Sequence, residues 1–329
     1  MVWVRILAFS MAVLCASAAF SQGSGCLQRT VPVNILDDKR LPVTDISTPD
    51  LRAEVHGGPI QIVSVANDTR ARRILILLDA SASMQGASGE LWKASLLTAE
   101  GLAELNPPNT SLALYIFGEK ANERIGFSEG NSRLLNRLRQ IENDPTYLKT
   151  HVYGMTPLRD AIAQGVRLFG SAKTQNAIFA ITDGGDNVSR VKEGELVRTL
   201  LAQEVRLYIC LMGDERTLVG DPDAVPRMAD PTGGLYFMPF AAQASRQIQH
   251  EVSTPMPVDI ADVLRFFVGQ MMSTLQVKIA LSTPVIKTED WRLDLSKQKS
   301  RQLKHATILY PQKLLPCATG SSGTAESAH

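Results

Sequence analysis

The fold is decided by the stretch RILILLDASASM, which occupies residues 73–84. Five consecutive apolar residues, Ile74–Leu78, precede Asp79, and two hydroxyl residues, Ser81 and Ser83, follow at alternate positions. An unbroken apolar run of this length is typical of a strand buried on both faces, as in a parallel sheet covered by helices. Ligands of open α/β sheets bind beyond the carboxyl ends of such strands, so the three polar side chains stand where a site is expected.

Two later segments offer further oxygen ligands. Residues 177–185, AIFAITDGG, repeat the first pattern, because an apolar strand ends near Asp183 and glycines follow it. Thr156 precedes Pro157 at the predicted start of a helix. Oxygen-only ligands suit a hard cation such as Mg²⁺ and exclude the soft-metal chemistry of thiols and imidazoles.

At these residues the sequence resembles the von Willebrand factor type A (VWA) family. The metal-ion-dependent adhesion site (MIDAS) of that family combines Asp-x-Ser-x-Ser on one loop, Thr on a second and Asp on a third. The matching residues here, in the family's order, are Asp79, Ser81, Ser83, Thr156 and Asp183. Each piece alone is an ordinary turn or helix-capping residue, but their joint order and placement favour an intact metal site. The resemblance implies Mg²⁺, or Mn²⁺ or Ca²⁺, as the bound ion.

Strands and helices alternate between residues 71 and 275, the range that the VWA resemblance covers. One helix is predicted from about Glu90 to Leu105, and a closing helix from Asp259 to Leu275. Alternation of this kind predicts an α/β fold with a doubly wound, mostly parallel sheet, VWA-like or Rossmann-like in topology.

The segments on either side of this domain alternate apolar and polar residues, as antiparallel strands do. Neither segment has enough strands for a stable core. Because the two ends of a domain are often close together, residues 22–70 and 276–317 are predicted to pair into a small β-sandwich-like domain. The whole arrangement resembles a bacterial group of secreted VWA-related proteins.

Residues 1–21 have the layout of a cleaved signal peptide, with Arg5 before an apolar run that small residues close. No later stretch is long enough to span a membrane, which predicts a secreted or periplasmic protein, although an uncleaved N-terminal anchor stays open. Residues 318–329 are rich in Ser, Gly and Ala and are predicted to be disordered. Cys210 is predicted to be a buried strand residue. Cys26 and Cys317 lie at the two ends of the folded part and are predicted to form a disulfide.

The net charge of the chain bears on two classes of partner, nucleic acid and anionic membranes. The sequence has 34 basic and 33 acidic residues, and removal of residues 1–21 takes away one arginine, which leaves a formally neutral chain. Such a chain offers no electrostatic attraction for nucleic acid or an anionic membrane. The sequence does not indicate an oligomeric state.

The function that this site predicts is metal-dependent protein binding, as an adhesion or scaffold module. An ion held by two carboxylates and three hydroxyls keeps an open coordination position, and a Glu or Asp of another protein is the expected ligand. The predicted contact surface is formed by the loops Ser81–Gly86, Tyr153–Thr156 and Gly184–Ser189.

Two alternatives stay open, namely a metal-dependent hydrolase and a protein whose metal serves stability alone. Against a hydrolase, the position two residues after Asp79 lacks a second acid, and the five histidines, including His151 near a site loop, fall in no recognisable catalytic spacing. Asp186 and Asn187 could bind a second cation or cap a turn. No catalytic residues and no organic cofactor are predicted.

Overall fold

The computed structural model describes residues 27–317 except for residues 87, 120–121, 172–173, 214–223 and 240–258. The predicted signal peptide, Cys26 and the predicted disordered tail therefore lie outside the described residues. Within that part of the chain, none of the helices combines the length and the apolar character that crossing a bilayer requires.

The strands are β1 (Gln28–Leu36), β2 (Leu51–Val55), β3 (Gly58–Asn67), β4 (Arg72–Asp79), β5 (Thr110–Phe117), β6 (Asn122–Ile125), β7 (Gln175–Thr182), β8 (Val205–Leu211), β9 (Leu235–Phe237), β10 (Leu275–Ala280), β11 (Glu289–Leu295), β12 (Thr307–Leu309) and β13 (Lys313–Leu314). The α-helices are α1 (Glu90–Leu105), α2 (Asn131–Glu142), α3 (Tyr147–His151), α4 (Leu158–Val166), α5 (Glu193–Ala202), α6 (Ala224–Ala229), α7 (Ile260–Met272) and α8 (Lys297–Gln302). Short 3₁₀ helices cover Thr48–Asp50, Ala82–Gln85, Phe127–Glu129 and Arg167–Phe169.

Strands β4 to β9 form a mixed sheet in the order β6-β5-β4-β7-β8-β9. The pairs β4–β5, β4–β7, β7–β8 and β8–β9 are parallel, and the edge strand β6 is antiparallel to β5. Because β4 lies in the middle, the chain leaves it towards β5 on one side and later returns to its other side at β7. The sheet and its helices give a VWA-like α/β fold.

Both faces of this sheet are covered by helices. Along β4, Ile74, Ile76 and Leu78 pack in one core cluster with residues of α1, α2 and α7. The alternate residues Leu75 and Leu77 pack in a second cluster with residues of α4, α5 and α6. Successive strand side chains point to opposite faces, so the continuous apolar run is explained by burial on both sides.

The two flanking segments combine into one antiparallel sheet of seven strands in the order β12-β1-β10-β3-β2-β11-β13. In this sheet β1 pairs with β10, and β2 pairs with β11. The predicted β-sandwich-like domain is not confirmed, because hydrogen bonds link these seven strands in a single antiparallel series. The inward residues of β1, β10 and β11 share one core cluster.

Buried polar contacts join the flanking sheet to the central sheet. Arg206 at the start of β8 donates hydrogen bonds to Asn34 of β1 and Thr274 just before β10. Asn34 in turn donates from Nδ2 to the carbonyl oxygens of Gln270 and Ser273, at 2.7 and 3.0 Å, where helix α7 ends. Cys210 is a free, buried thiol, as predicted. Cys317 is disulfide-bonded, but its proposed partner Cys26 is not among the described residues, so that pairing stays a prediction.

Candidate metal site

The candidate ligands lie on three loops at the carboxyl end of the central sheet. Asp79 ends β4, and Asp183 directly follows β7, the parallel neighbour of β4. Since β5 and β7 flank β4 on opposite sides, this edge is the point where the strand order reverses, which is the usual place for a ligand in an open α/β sheet.

The first loop carries Asp79, Ser81 and Ser83. Asp79 is fully buried, and its Oδ1 accepts a hydrogen bond of 2.9 Å from the backbone N–H of Ser81. A 3₁₀ turn over Ala82–Gln85 follows and brings the hydroxyl oxygens of Ser81 and Ser83 to 3.2 Å from each other. Ser81 is buried while Ser83 is exposed, so the hydroxyl pair runs from the interior to the surface.

The second loop carries Thr156, which is buried. The carbonyl oxygen of Gly154 accepts a 3.1 Å hydrogen bond from the N–H of Ala82, which ties this loop to the first. Gly154 has a φ of +83°, and a Cβ added there would lie 2.1 Å from Oε2 and 2.6 Å from Cβ of Glu119. The loop therefore requires glycine at this position.

The third loop carries Asp183 and is fastened to the second. The N–H of Gly185 donates to Asp183 Oδ1 at 3.2 Å. A Cβ placed on Gly185 would lie 3.5 Å from Asp183 Oδ1 and 3.9 Å from Thr156 Oγ1, so these two oxygens border the same small space. Asn187 accepts from the N–H of Thr156 at 2.9 Å and donates its own N–H to the carbonyl of Thr156 at 3.2 Å.

The electrostatics of this space favour a cation. The pKa of Asp79 is raised to about 7, and burial is the largest cause. The negative charge of Asp183 also raises this pKa, whereas a hydrogen bond from Thr182 lowers it. Among the described residues, no basic side chain forms an ion pair with Asp79 or Asp183. Two mutually repelling carboxylates with three hydroxyls beside them match the oxygen donors of a divalent cation.

Within the described part of the chain, no three His, Cys, Asp or Glu residues are grouped as metal ligands would be. The candidate set contains two carboxylates and three hydroxyls. Its ligands therefore differ from those of a site built from three or more His, Cys, Asp or Glu side chains.

Sequence reasoning missed one residue that positions the first carboxylate. Thr182, the last residue of β7, donates from Oγ1 to Asp79 Oδ2 at 2.6 Å, and its Oγ1 accepts from the N–H of Gly184 at 3.1 Å. The only signal for Thr182 in the sequence was its position directly before Asp183. Threonine is common in strands, so this position alone does not distinguish a residue that orients a ligand from an ordinary strand residue.

Asp186 is used in a structural role. Its Oδ2 accepts from the N–H of Arg159 at 2.9 Å and lies 3.1 Å from Arg159 Nε, while Oδ1 accepts from the N–H of Ser189 at 3.1 Å. The carboxylate thus satisfies a backbone donor in the first turn of α4, in agreement with the turn-capping alternative. His151 stacks on Tyr147 with ring centroids 4.3 Å apart, and its Nδ1 lies 2.7 Å from Thr150 Oγ1.

Residues 74–185 match the von Willebrand factor type A domain family. The matched range begins in β4 and ends on the third loop, so it includes all five candidate ligands. A search of curated proteins found no match.

Three of the solved structures similar to this chain have TM-scores between 0.38 and 0.43. Proximal thread matrix protein 1 from the mussel byssus, in a form with a zinc-occupied MIDAS motif, is 14% identical, with 67% of this chain and 49% of that chain covered and a TM-score of 0.43. BatB from Bacteroides thetaiotaomicron is 16% identical, with 58% and 100% covered and a TM-score of 0.38. The SpRpn10 VWA domain is 14% identical, with 59% and 94% covered and a TM-score of 0.38. The chain thus spans about half the length of the mussel protein.

Proposed function

We propose that this protein is a divalent-metal-dependent protein-binding module, in which Asp79, Ser81, Ser83, Thr156 and Asp183 hold the ion. The observation that carries the proposal is the pair of buried carboxylates at the switch point of the sheet, which have no basic partner among the described residues. Domains of the family that residues 74–185 match are commonly protein-interaction modules.

A bound Mg²⁺, or Mn²⁺ or Ca²⁺, would supply a positive charge with an open coordination position for an outside carboxylate. The chain's own residues prepare that position. The N–H of Ser81 and the hydroxyl of Thr182 orient the two oxygens of Asp79, and Asn187 fixes the backbone of Thr156. Ser83 is exposed, so the ligand set opens to the surface on the side of the first loop.

The partner in this proposal is a protein that presents a Glu or Asp side chain. Burying such a charge at an interface is unfavourable without a compensating cation, so the ion would make the contact selective for an acidic residue. The loops Ser81–Gly86, Tyr153–Thr156 and Gly184–Ser189 would surround it. Two apolar side chains on these loops are exposed, Met155 to 52% and Val188 to 44%, and they suit a contact surface rather than a solvated rim.

The setting that we propose is outside the cytoplasm, either secreted or periplasmic in a bacterium, after cleavage of residues 1–21. The proposed division is 22–70 and 276–317 as the flanking β domain, with 71–275 between them. This placement rests on the sequence of the leader and on the resemblance of the flanks.

The test combines calorimetry with a binding assay on the mature chain. Titration with Mg²⁺, Mn²⁺ and Ca²⁺ should give one bound ion in the wild type and none in Asp79→Ala, whereas the control Asp45→Ala, whose side chain is 92% exposed, should bind like the wild type. A pull-down from native extract should then recover a partner that EDTA and Asp79→Ala both remove.

Outcomes separate the proposal from its alternatives. Ion binding that raises thermal stability without any EDTA-sensitive partner would favour a purely structural metal. Metal-dependent turnover of a phosphoester or peptide substrate, lost in Asp79→Ala, would favour a hydrolase. A partner that remains bound in EDTA and to Asp79→Ala would overturn the proposal.

A further inference from the structure

Helix α8, which lies between β11 and β12 of the flanking segments, carries a local excess of positive charge. Between Asp294 and Glu326 the sequence contains no acidic residue. The lysines and arginines of this interval are Lys297, Lys299, Arg301, Lys304 and Lys313. Four of them belong to α8 or lie within two residues of its end. The neutral total of the mature chain, from which no attraction to an anionic membrane is expected, therefore does not describe the electrostatic potential at this helix.

One side of α8 packs against the flanking sheet. Leu303, which directly follows the helix, packs against the core cluster of that sheet. Lys299 lies four residues earlier and hence on the same side, and its side chain is only 12% exposed. Its Nζ donates to the carbonyl oxygen of Asp45 at 3.0 Å and lies 3.5 Å from the carboxylate of the same residue. The charge of Lys299 is therefore compensated within the protein.

The other side of α8 faces solvent and carries cations. Lys297 and Arg301 are four residues apart and share this side, and Lys304 follows just beyond the helix. All three side chains are exposed, and none forms an ion pair with a carboxylate of the described residues. The exposed residues between them are neutral. Three uncompensated positive charges thus lie within eight positions of the chain.

Two further acidic residues next to α8 have partners of their own. The carbonyl oxygen of Asp50 accepts a hydrogen bond of 2.7 Å from the N–H of Ser296, just before the helix. The carboxylate of Asp50 accepts from the N–H and the hydroxyl of Ser47, at 2.8 and 2.6 Å. Asp294 pairs with Arg292 at 2.6 Å. These carboxylates reduce the positive potential around α8 but do not pair with its exposed cations.

Stabilisation of α8 itself does not explain this arrangement. Lys297 directly follows the N-cap residue Ser296, where the positive end of the helix macrodipole disfavours a cation. Arg301 lies in the last turn, where a cation is favourable, but Lys304 lies beyond the helix. The helix therefore accounts for only one of the three exposed cations.

We propose that the exposed side of α8, with Lys297, Arg301 and Lys304, binds the anionic surface of a lipid bilayer as a weak peripheral contact. Exposed cations on an outer helix suit a flat array of charges, whereas a small ligand requires a concave site. Two of the three cations are lysines, whose ammonium groups act as point charges and do not select one acidic group by bidentate geometry. No Phe, Tyr or Trp lies between Trp291 and Tyr310 on which a nucleic-acid base could stack.

The test is co-sedimentation of the mature, disulfide-intact chain with phospholipid vesicles, because the apolar leader would itself partition into lipid. EDTA is present throughout and keeps the candidate metal site out of the measurement. Phosphatidylglycerol vesicles should bind the protein at about 0.1 M salt and phosphatidylcholine vesicles should not. Binding should disappear at about 1 M salt, where the Debye length falls to about 3 Å. Equal binding to both kinds of vesicle, or binding that persists at high salt, would overturn the proposal.

Variants on the exposed side of α8 locate the contact. Each of Lys297→Gln, Arg301→Gln and Lys304→Gln should weaken vesicle binding about fivefold, since one basic side chain near an anionic surface contributes about 1 kcal/mol. The triple variant should lose at least about 50-fold. Glutamine is a good helix former and all three positions are exposed, so the fold should persist.

A matched control removes the same total charge elsewhere. It combines Lys93→Gln, Lys149→Gln and Lys192→Gln, at exposed lysines in α1, in α3 and directly before α5. This control should bind within about threefold of the wild type, because charges far from the bilayer are screened. Equal losses in the two triple variants, with unchanged melting temperatures, would show that total charge and not α8 attracts the vesicles. Binding to heparin without binding to phosphatidylglycerol vesicles would assign α8 to an acidic polysaccharide and would likewise overturn the proposal.

Discussion

Thr182 donates a hydrogen bond of 2.6 Å from Oγ1 to Oδ2 of Asp79, and it connects the two neighbouring strands that carry the candidate carboxylates. Both residues are fully buried. The bond leaves Asp79 with one orientation, since its Oδ1 is held at the same time by the N–H of Ser81. Thr182 is therefore a positioning residue for the proposed ion, and Asp183 directly follows it in the sequence.

Replacing Thr182 by Val should weaken ion binding about 10- to 100-fold, the usual effect of removing a group that orients a metal ligand. Valine has nearly the same shape, so the fold should persist. Thr182→Ser retains the hydroxyl and should bind the ion within about threefold of the wild type. Calorimetric titration of Mg²⁺ into the three proteins measures this, and wild-type affinity in Thr182→Val would show that the hydrogen bond does not orient a ligand.

Replacing Gly154 by Ala should weaken ion binding and lower stability together. The residue has a φ of +83°, and the new Cβ would meet Glu119 at 2.1 Å, so the loop that carries Thr156 must shift. Gly170→Ala is the matched control, because Gly170 also has a positive φ, +60°, but nothing lies within 4 Å of an added Cβ. That control should lose about 1 kcal/mol or more of stability while retaining its Mg²⁺ affinity. Equal Mg²⁺ affinities in both variants would contradict this account of the loop.

The central domain was predictable because its elements carry strong local signals. The helix predicted from about Glu90 to Leu105 corresponds to α1. Its bounds were predictable because Gly89 precedes it and Asn106 with Pro107 ends it. The run Ile74–Leu78 is buried on both sides in β4, as an apolar strand of a covered sheet must be.

The remaining features depend on pairs that are distant in the sequence. Alternation in β1 and β10 predicts strands but not that the two pair with each other, because the pattern fixes a face and not a partner. Arg206 lies in an apolar strand, and its acceptor Asn34 is 172 positions away. In the candidate site, the five proposed ligands matched a family pattern, whereas Thr182 and Asn187 act through contacts that no such pattern records.

The stability of the protein should fall below about pH 4 partly because of Asp68. Burial alone would raise the pKa of Asp68, but hydrogen bonds from Arg70 and Gln276 outweigh it and hold the pKa below its usual value. A lowered folded-state pKa means that this stabilisation is complete above the unfolded pKa and is lost as the pH falls through the folded one.

Asp68→Asn tests this contribution by urea unfolding from pH 7 to pH 3. The variant should be less stable than the wild type at pH 7, by about 1–3 kcal/mol, and the difference should shrink as the pH falls. The exposed Asp45→Asn should follow the wild-type curve throughout. A constant difference between Asp68→Asn and the wild type at all pH values would exclude ionisation of Asp68 as the cause.

Asn34 should be among the most sensitive positions for stability, because its side chain serves three partners between the two sheets. It donates to the carbonyl oxygens of Gln270 and Ser273 at the end of α7 and accepts from Arg206. Asn34→Leu would leave these buried groups without partners and should lower the free energy of unfolding by about 3 kcal/mol, with faster hydrogen exchange in the last turn of α7. Gln28→Leu, at an exposed position of the same strand, is the control and should stay within about 0.5 kcal/mol of the wild type. An equal, small loss of unfolding free energy in both variants would contradict this account, because it would show that the contacts of Asn34 do not hold the end of α7 against the flanking sheet.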